Sequence, residues 1–152
     1  MKITNGFDIS ASALTANRMR MDVISSNVAN AETTRAAYVN GEYVPYKRKM
    51  VVMESNEQSF SQIFNNTLNG NDASSKFKGV NVTKIIEDSS PTKLVYNPSH
   101  PDANVDGYVE MPNVDIATEM VDMIAAVRAY ESNVTALNAT KSMFMKALEI
   151  GK

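Results

Sequence analysis

Chain-breaking residues are confined to the middle of this sequence, and that distribution constrains the fold more than any other feature. All five prolines, Pro45, Pro91, Pro98, Pro101 and Pro112, and four of the six glycines lie there, so both ends are free to run as long helices. From about Asn5 to Thr33, positions Phe7, Ser10, Leu14, Asn17, Met21, Ile24, Val28 and Ala31 step by three and four. This is a heptad seam with Ser10 and Asn17 as polar exceptions. The C-terminal stretch carries the same period through Ile116, Met120, Met123, Val127, Tyr130, Val134, Leu137, Lys141, Phe144 and Leu148, with Lys141 its one polar interruption. Asn113, after Pro112, is the expected N-cap. Asp115 and Glu119 sit where the helix dipole favours negative charge, Lys146 lies near the far end, and Gly151 marks the stop.

Between the ends the pattern shortens to β-like runs, Tyr43 to Glu54, Val80 to Ile86, Leu94 to Tyr96 and Tyr108 to Met111. Asn69 to Asp72 with Ser74 and Ser75 reads as a loop, and Phe60, Ile63, Phe64 and Leu68 have the spacing of a short amphipathic helix. The expected fold is α+β. Residues 1–35 and 112–152 form two long terminal helices paired as a coiled-coil-like domain, and residues 36–111 form a small β-rich insertion between them.

Several functions are disfavoured by composition. With 152 residues the chain has the size of one modest folding unit, and a formal charge of -2 gives no bulk attraction for nucleic acid. Cysteine is absent, which removes disulfides, thiolate metal sites and a cysteine nucleophile. No apolar run approaches the ~18 residues of a membrane span, so no membrane insertion is expected. The opening MKITNGFDIS lacks the apolar core of a secretory signal peptide.

Chemistry finds no good constellation either. Asp102, Asn104, Asp106 and Gly107 copy the first half of a calcium loop, but its twelfth position is Asn113 where a bidentate Glu is required. A turn before Tyr108 explains them more simply. His100 is the only histidine, too few for the usual zinc site, and no nucleophile elbow accompanies Ser89, Ser90 or Ser99. No catalytic residue, cofactor or metal ligand is therefore assigned. Lys47, Arg48 and Lys49 make the one dense basic patch, read as a solvated strand edge or, less simply, as a contact for an acidic neighbour.

Two long amphipathic helices reaching from a small β region leave faces that neighbours must cover, and Ala11, Ala13, Ala16, Ala29, Ala125, Ala126, Ala129 and Ala136 allow close helix approach. A specific family supplies such neighbours. SSNVANAETTR, Ser25 to Arg35, resembles the signature of flagellar axial proteins in its core of Asn27, Ala29, Asn30 and Ala31. Tyr96 to Leu148 is similar to the C-terminal half of the proximal members of the flagellar basal-body rod family. Many axial proteins follow the core with Thr-Pro-Gly and an aromatic, whereas Thr33, Thr34 and Arg35 stand here, which favours the proximal members.

The resemblance implies a structural subunit of the torque-transmitting rod around the export channel, sited in the basal body within the cell envelope. Its partners would be copies of itself, other rod subunits and the flagellar type III export apparatus, with the terminal helices inside the tube and the β region outside. Leu14, Met21, Ile24, Val28, Ile116, Met120, Met123, Val127, Tyr130, Val134, Leu137, Phe144 and Leu148 are then the expected assembly seam. The rival readings are a soluble coiled-coil adaptor or secretion chaperone, and a small hydrolase built around His100.

Overall fold

The computed structural model describes residues 4–39, 41–56, 64, 68 and 79–150. Helix α1 spans Thr4–Ala29 and helix α2 spans Ile116–Ile150. Between them run β1 (Ala37–Val39), β2 (Glu42–Val44), β3 (Lys49–Ser55), β4 (Val80–Glu87), β5 (Lys93–Tyr96) and β6 (Tyr108–Met111). They pair as β1 with β2, β3 with β4 and β5 with β6, giving the expected α+β class with two-stranded sheets between two terminal helices.

Local chemistry sets the boundaries. α1 stops short of Thr33 because the chain tightens at Asn30, whose backbone N–H and side-chain amide both donate to the Ser26 carbonyl, at 3.1 and 2.9 Å. Ala31 N–H then bonds the Val28 carbonyl at 3.3 Å, a three-residue step. The cap of α2 is Asp115 and not Asn113: its Oδ1 accepts from the Ala117 and Thr118 amides at 2.9 and 3.4 Å. The expected run from Tyr43 to Glu54 is broken into β2 and β3 around Pro45, which has no N–H to give a ladder. β1 was not anticipated, although Asn40-Gly41 is a hairpin signal; Gly41 has φ of 95°. The β1–β2 register pairs Ala37 with Val44, Tyr38 with Tyr43 and Val39 with Glu42.

In the β5–β6 hairpin Lys93 faces Met111 and Tyr96 faces Tyr108. Asn104 Oδ1 accepts from the Asp106 and Tyr108 amides at 3.2 and 2.9 Å, and Gly107 takes φ of 80°. This is the turn expected there. Phe64 and Leu68 are helical and exposed, while Phe60, Ile63 and the loop from Asn69 to Ser75 lie outside the described residues.

The chain divides into two compact units, each taking part of both helices. One comprises residues 1–18, 53–83 and 128–152. There Ser12 Oγ donates to the Ile9 carbonyl at 2.7 Å and accepts from Val80 N–H at 3.2 Å. Gly79 is what permits that approach, since a Cβ on it would stand 1.8 Å from Ser12 Oγ. Gly6 of α1 lies beside Thr140 of α2, where a Cβ would make an ordinary contact at 3.5 Å. The other unit comprises residues 19–52 and 84–127, and packs Ala31, Tyr46 and Val114 together as a small core. Val23, Ile24, Val109 and Ala126 are also buried in it.

A buried polar anchor and a candidate assembly surface

Within the second unit, Asn27 lies on the last turn of α1 and is 1% exposed, as is Glu119 in the first turn of α2. Neither is left wanting a partner. Asn27 Nδ2 donates to the Lys49 carbonyl at 2.9 Å, while Lys49 N–H and Tyr46 Oη donate to Asn27 Oδ1 at 2.9 and 3.0 Å. The side-chain amide thus copies a peptide group and fixes the start of β3 against α1. Asn27 Nδ2 also donates to Glu119 Oε2 at 3.1 Å, so one residue ties α1, β3 and α2 together.

Arg48 closes the cluster. Its Nε donates to Glu119 Oε1 at 2.6 Å, and its guanidinium lies 3.9 Å from Asp88 and 3.8 Å from Asp122. Asp122 pairs with Arg20 of α1 at 3.3 Å. Arg48 therefore turns inward and is neither a solvated edge nor free for a neighbour; only Lys47 of the basic patch is well exposed. Lys49 lies over the Tyr46 ring, 5.7 Å from its centroid.

A second strap joins the segment after α1 to the loop before β6. Arg35 and Thr34 both donate to the Asp102 carboxylate, Thr34 at 2.9 Å, and Asp102 N–H donates to His100 Nδ1 at 3.1 Å. Asp102 and His100, the residues most suggestive of calcium or catalysis, are thereby used in holding the loop. The hydrogen bond from Arg35 holds the Asp102 carboxyl below the usual carboxylate range, against its desolvation and helped by Thr34, the Arg35 charge and His100. Asp88 is lowered as well, chiefly by hydrogen bonds from the Ser90 hydroxyl and amide.

A carboxylate with a depressed folded pKa adds stability that is complete above its unfolded pKa of about 3.9 and is lost as pH falls through the folded value. Below about pH 4 the strap should loosen. Urea unfolding followed from pH 7 downward should show a steeper acid loss for the wild type than for Asp102→Asn, and equal slopes would mean that Asp102 is not held this way in solution.

The expected seam residues fall into three groups. Ile24 is buried, and Leu14, Met21, Val28, Met123, Tyr130, Val134 and Leu137 are half-buried. Ile116, Met120, Val127, Phe144 and Leu148 are exposed. Of the signature residues Asn27 and Ala31 are buried, Asn30 is half-buried and Ala29 is exposed. In the second unit the inward face of α2 is instead made by Glu119 and Ala126, while Met120, Val121 and Ile124 stand 57%, 67% and 60% exposed. With Ile116 and Val127, these three make an outward apolar stripe within four helical turns. Val121 and Ile124 were not singled out from sequence because the heptad count passes beside them.

Residues 7–36 match the family model described as flagella basal body rod protein, and residues 105–150 match that described as flagellar basal body rod FlgEFG protein C-terminal. Flagellar basal-body rod protein FlgC of Bacillus subtilis (strain 168) is 57% identical over 152 residues, covering 100% of both chains. FlgC of Escherichia coli O6:H1 is 40% identical over 152 residues, again covering 100% of both chains. FlgC of Borreliella burgdorferi is 40% identical over 156 residues, with 99% of this chain and 98% of the relative covered. This chain belongs to the FlgC family of flagellar basal-body rod proteins.

Like its FlgC relatives it is a structural protein of the basal-body rod. The anchor takes on meaning in that frame. Asn27 comes from the N-terminal matched segment and Glu119 from the C-terminal one, and Arg48 is supplied by the stretch between. The outward stripe of α2 lies wholly in the C-terminal match.

Proposed function

We propose that this chain is a proximal rod subunit that joins copies of itself and other rod proteins through the outward faces of its terminal helices. The observation that carries this reading is the stripe of Ile116, Met120, Val121, Ile124 and Val127. Each large apolar side chain moved from water to a contact contributes about 1.5–3 kcal/mol when burial is complete. A lone subunit gains none of this from the stripe; a neighbour covering it does. Helices 1–35 and 112–152 would form the axial layer and residues 36–111 its outer β region.

The work of such a subunit is mechanical, transmitting torque and surrounding the path of exported protein. No step requires an activated nucleophile, a metal or a cofactor. Delivery to the envelope would use the flagellar type III export apparatus, without a cleaved signal peptide. Basal bodies purified from swimming cells that carry a tagged copy should hold the tag within the rod, visible by electron microscopy with a gold label. A tag recovered solely in the soluble fraction would sink the reading.

A further inference from the structure

The methionines of the second unit differ in how far water reaches them. Met21, Met50, Met111 and Met123 are half-buried, Met19 is 37% exposed and Met120 is 57% exposed. Met120 and Met123 lie within one turn of the same helix, so they share a backbone environment and differ in exposure. Around Met120 stand Ile116 and Ile124, one turn before and after it, with Val121 adjoining in sequence, and all three are exposed.

In that stripe a thioether is the one side chain that a mild oxidant alters, since the others are plain hydrocarbon. Oxidation turns methionine from a flexible apolar residue into a polar, chiral one. We infer that Met120 is a modification site, where a hydroperoxide converts the free subunit into a form that neighbours reject. A lone pair of the Met120 sulfur attacks one peroxide oxygen, and the O–O bond breaks as the S–O bond forms. The departing oxygen takes up the proton of the transferred one and leaves as water or an alcohol. Sulfur is oxidised by two electrons and the peroxide is reduced by the same two.

On the free chain the new oxygen stays hydrated, so the fold is little changed. Under a neighbour it would have to give up that water among apolar side chains that offer it no donor. Cover works in the other direction too, because a subunit already in place has its sulfur shielded. The site is therefore open before incorporation, and a methionine sulfoxide reductase acting on the free chain reverses it. The block on assembly rests on the rod reading; selective oxidation of the free chain does not.

Purified chain treated with hydrogen peroxide and analysed by peptide mass spectrometry should show Met120 oxidised about fivefold or more faster than Met123. Equal rates overturn the inference. Met120→Gln carries a polar oxygen at the same place, and its recovery in basal bodies should fall about tenfold or more while the isolated chain keeps the wild-type helix signal. Wild-type recovery of that variant overturns the block on assembly. A second comparison does not depend on how the Gln variant folds. In cells lacking sulfoxide reductases, a peroxide pulse during rod building should cut completed basal bodies about threefold more in the wild type than in Met120→Leu, each strain measured against its own untreated level. Equal losses overturn the block as well. A gold label absent from the rod would instead defeat the rod reading, and with it the block, while the oxidation rates of the free chain would stand.

Discussion

Arg48→Ala should cost about 3–5 kcal/mol of folding stability, the largest loss expected from any single side chain outside the apolar core. The reason is what it leaves behind. Glu119 is 1% exposed and receives Arg48 Nε at 2.6 Å; its other oxygen takes a hydrogen bond from Asn27. Removing the guanidinium strands a carboxylate that water cannot reach, and Asp122 and Asp88 lose the same positive neighbour. The double change Arg48→Met/Glu119→Leu removes both charges and keeps the volume, so it should be far less damaging than Arg48→Ala. Urea denaturation of the wild type, each single variant and the double variant decides the matter through the coupling energy. A loss under about 1 kcal/mol for Arg48→Ala would place the pair in water.

Of this anchor only Asn27 was visible in the sequence, and only through its place in a family signature. A Glu in the first turn of a helix reads as dipole complement, and an Arg between two lysines reads as solvated edge. Both readings describe the usual fate of a charge on one element taken alone. Glu119 is buried because Asn27 of α1 and Arg48, just before β3, both converge on it, a long-range placement that no spacing along the chain records. Asn27 must answer the Lys49 peptide group with both a donor and an acceptor while also bonding Tyr46 and Glu119, which needs an amide at that one point.

The helices themselves were plain in the sequence, because their breakers lie outside them and their period is sustained. Their facing was not. In α2 almost every side is apolar or small, so the most hydrophobic stripe is not forced to be the inward one. Ala126, fully buried, lets the helices approach; longer side chains at Met120, Val121 and Ile124 then look outward. A heptad count ranks positions by size and therefore chose the stripe beside the inner contact. The two-stranded ribbons were half legible: β4, β5 and β6 follow from β-branched and aromatic runs, whereas three-residue β1 is too short to stand out from its surroundings.

The outward stripe also determines which residue best tests assembly. Leu137 is half-buried in the free chain, so a charge placed there would disturb the subunit's own packing along with any contact to neighbours. Ile124, at 60% exposure, separates the two effects. Ile124→Asp should leave the isolated chain folded, with helix content and urea midpoint close to wild type, because its carboxylate remains in water. Covered by a neighbour, the same carboxylate would have to be desolvated without a partner, at a cost on the order of several kcal/mol per subunit. Repeated in every copy, that penalty should prevent rod completion and abolish swimming. Ile124→Val removes one methylene and should swim nearly as wild type. The measurement is complementation of a strain lacking the chain, scored by motility in soft agar and by basal bodies under the electron microscope. Normal rods built from Ile124→Asp chains would show that this face of α2 stays in water, and the assembly surface would then have to be sought on α1.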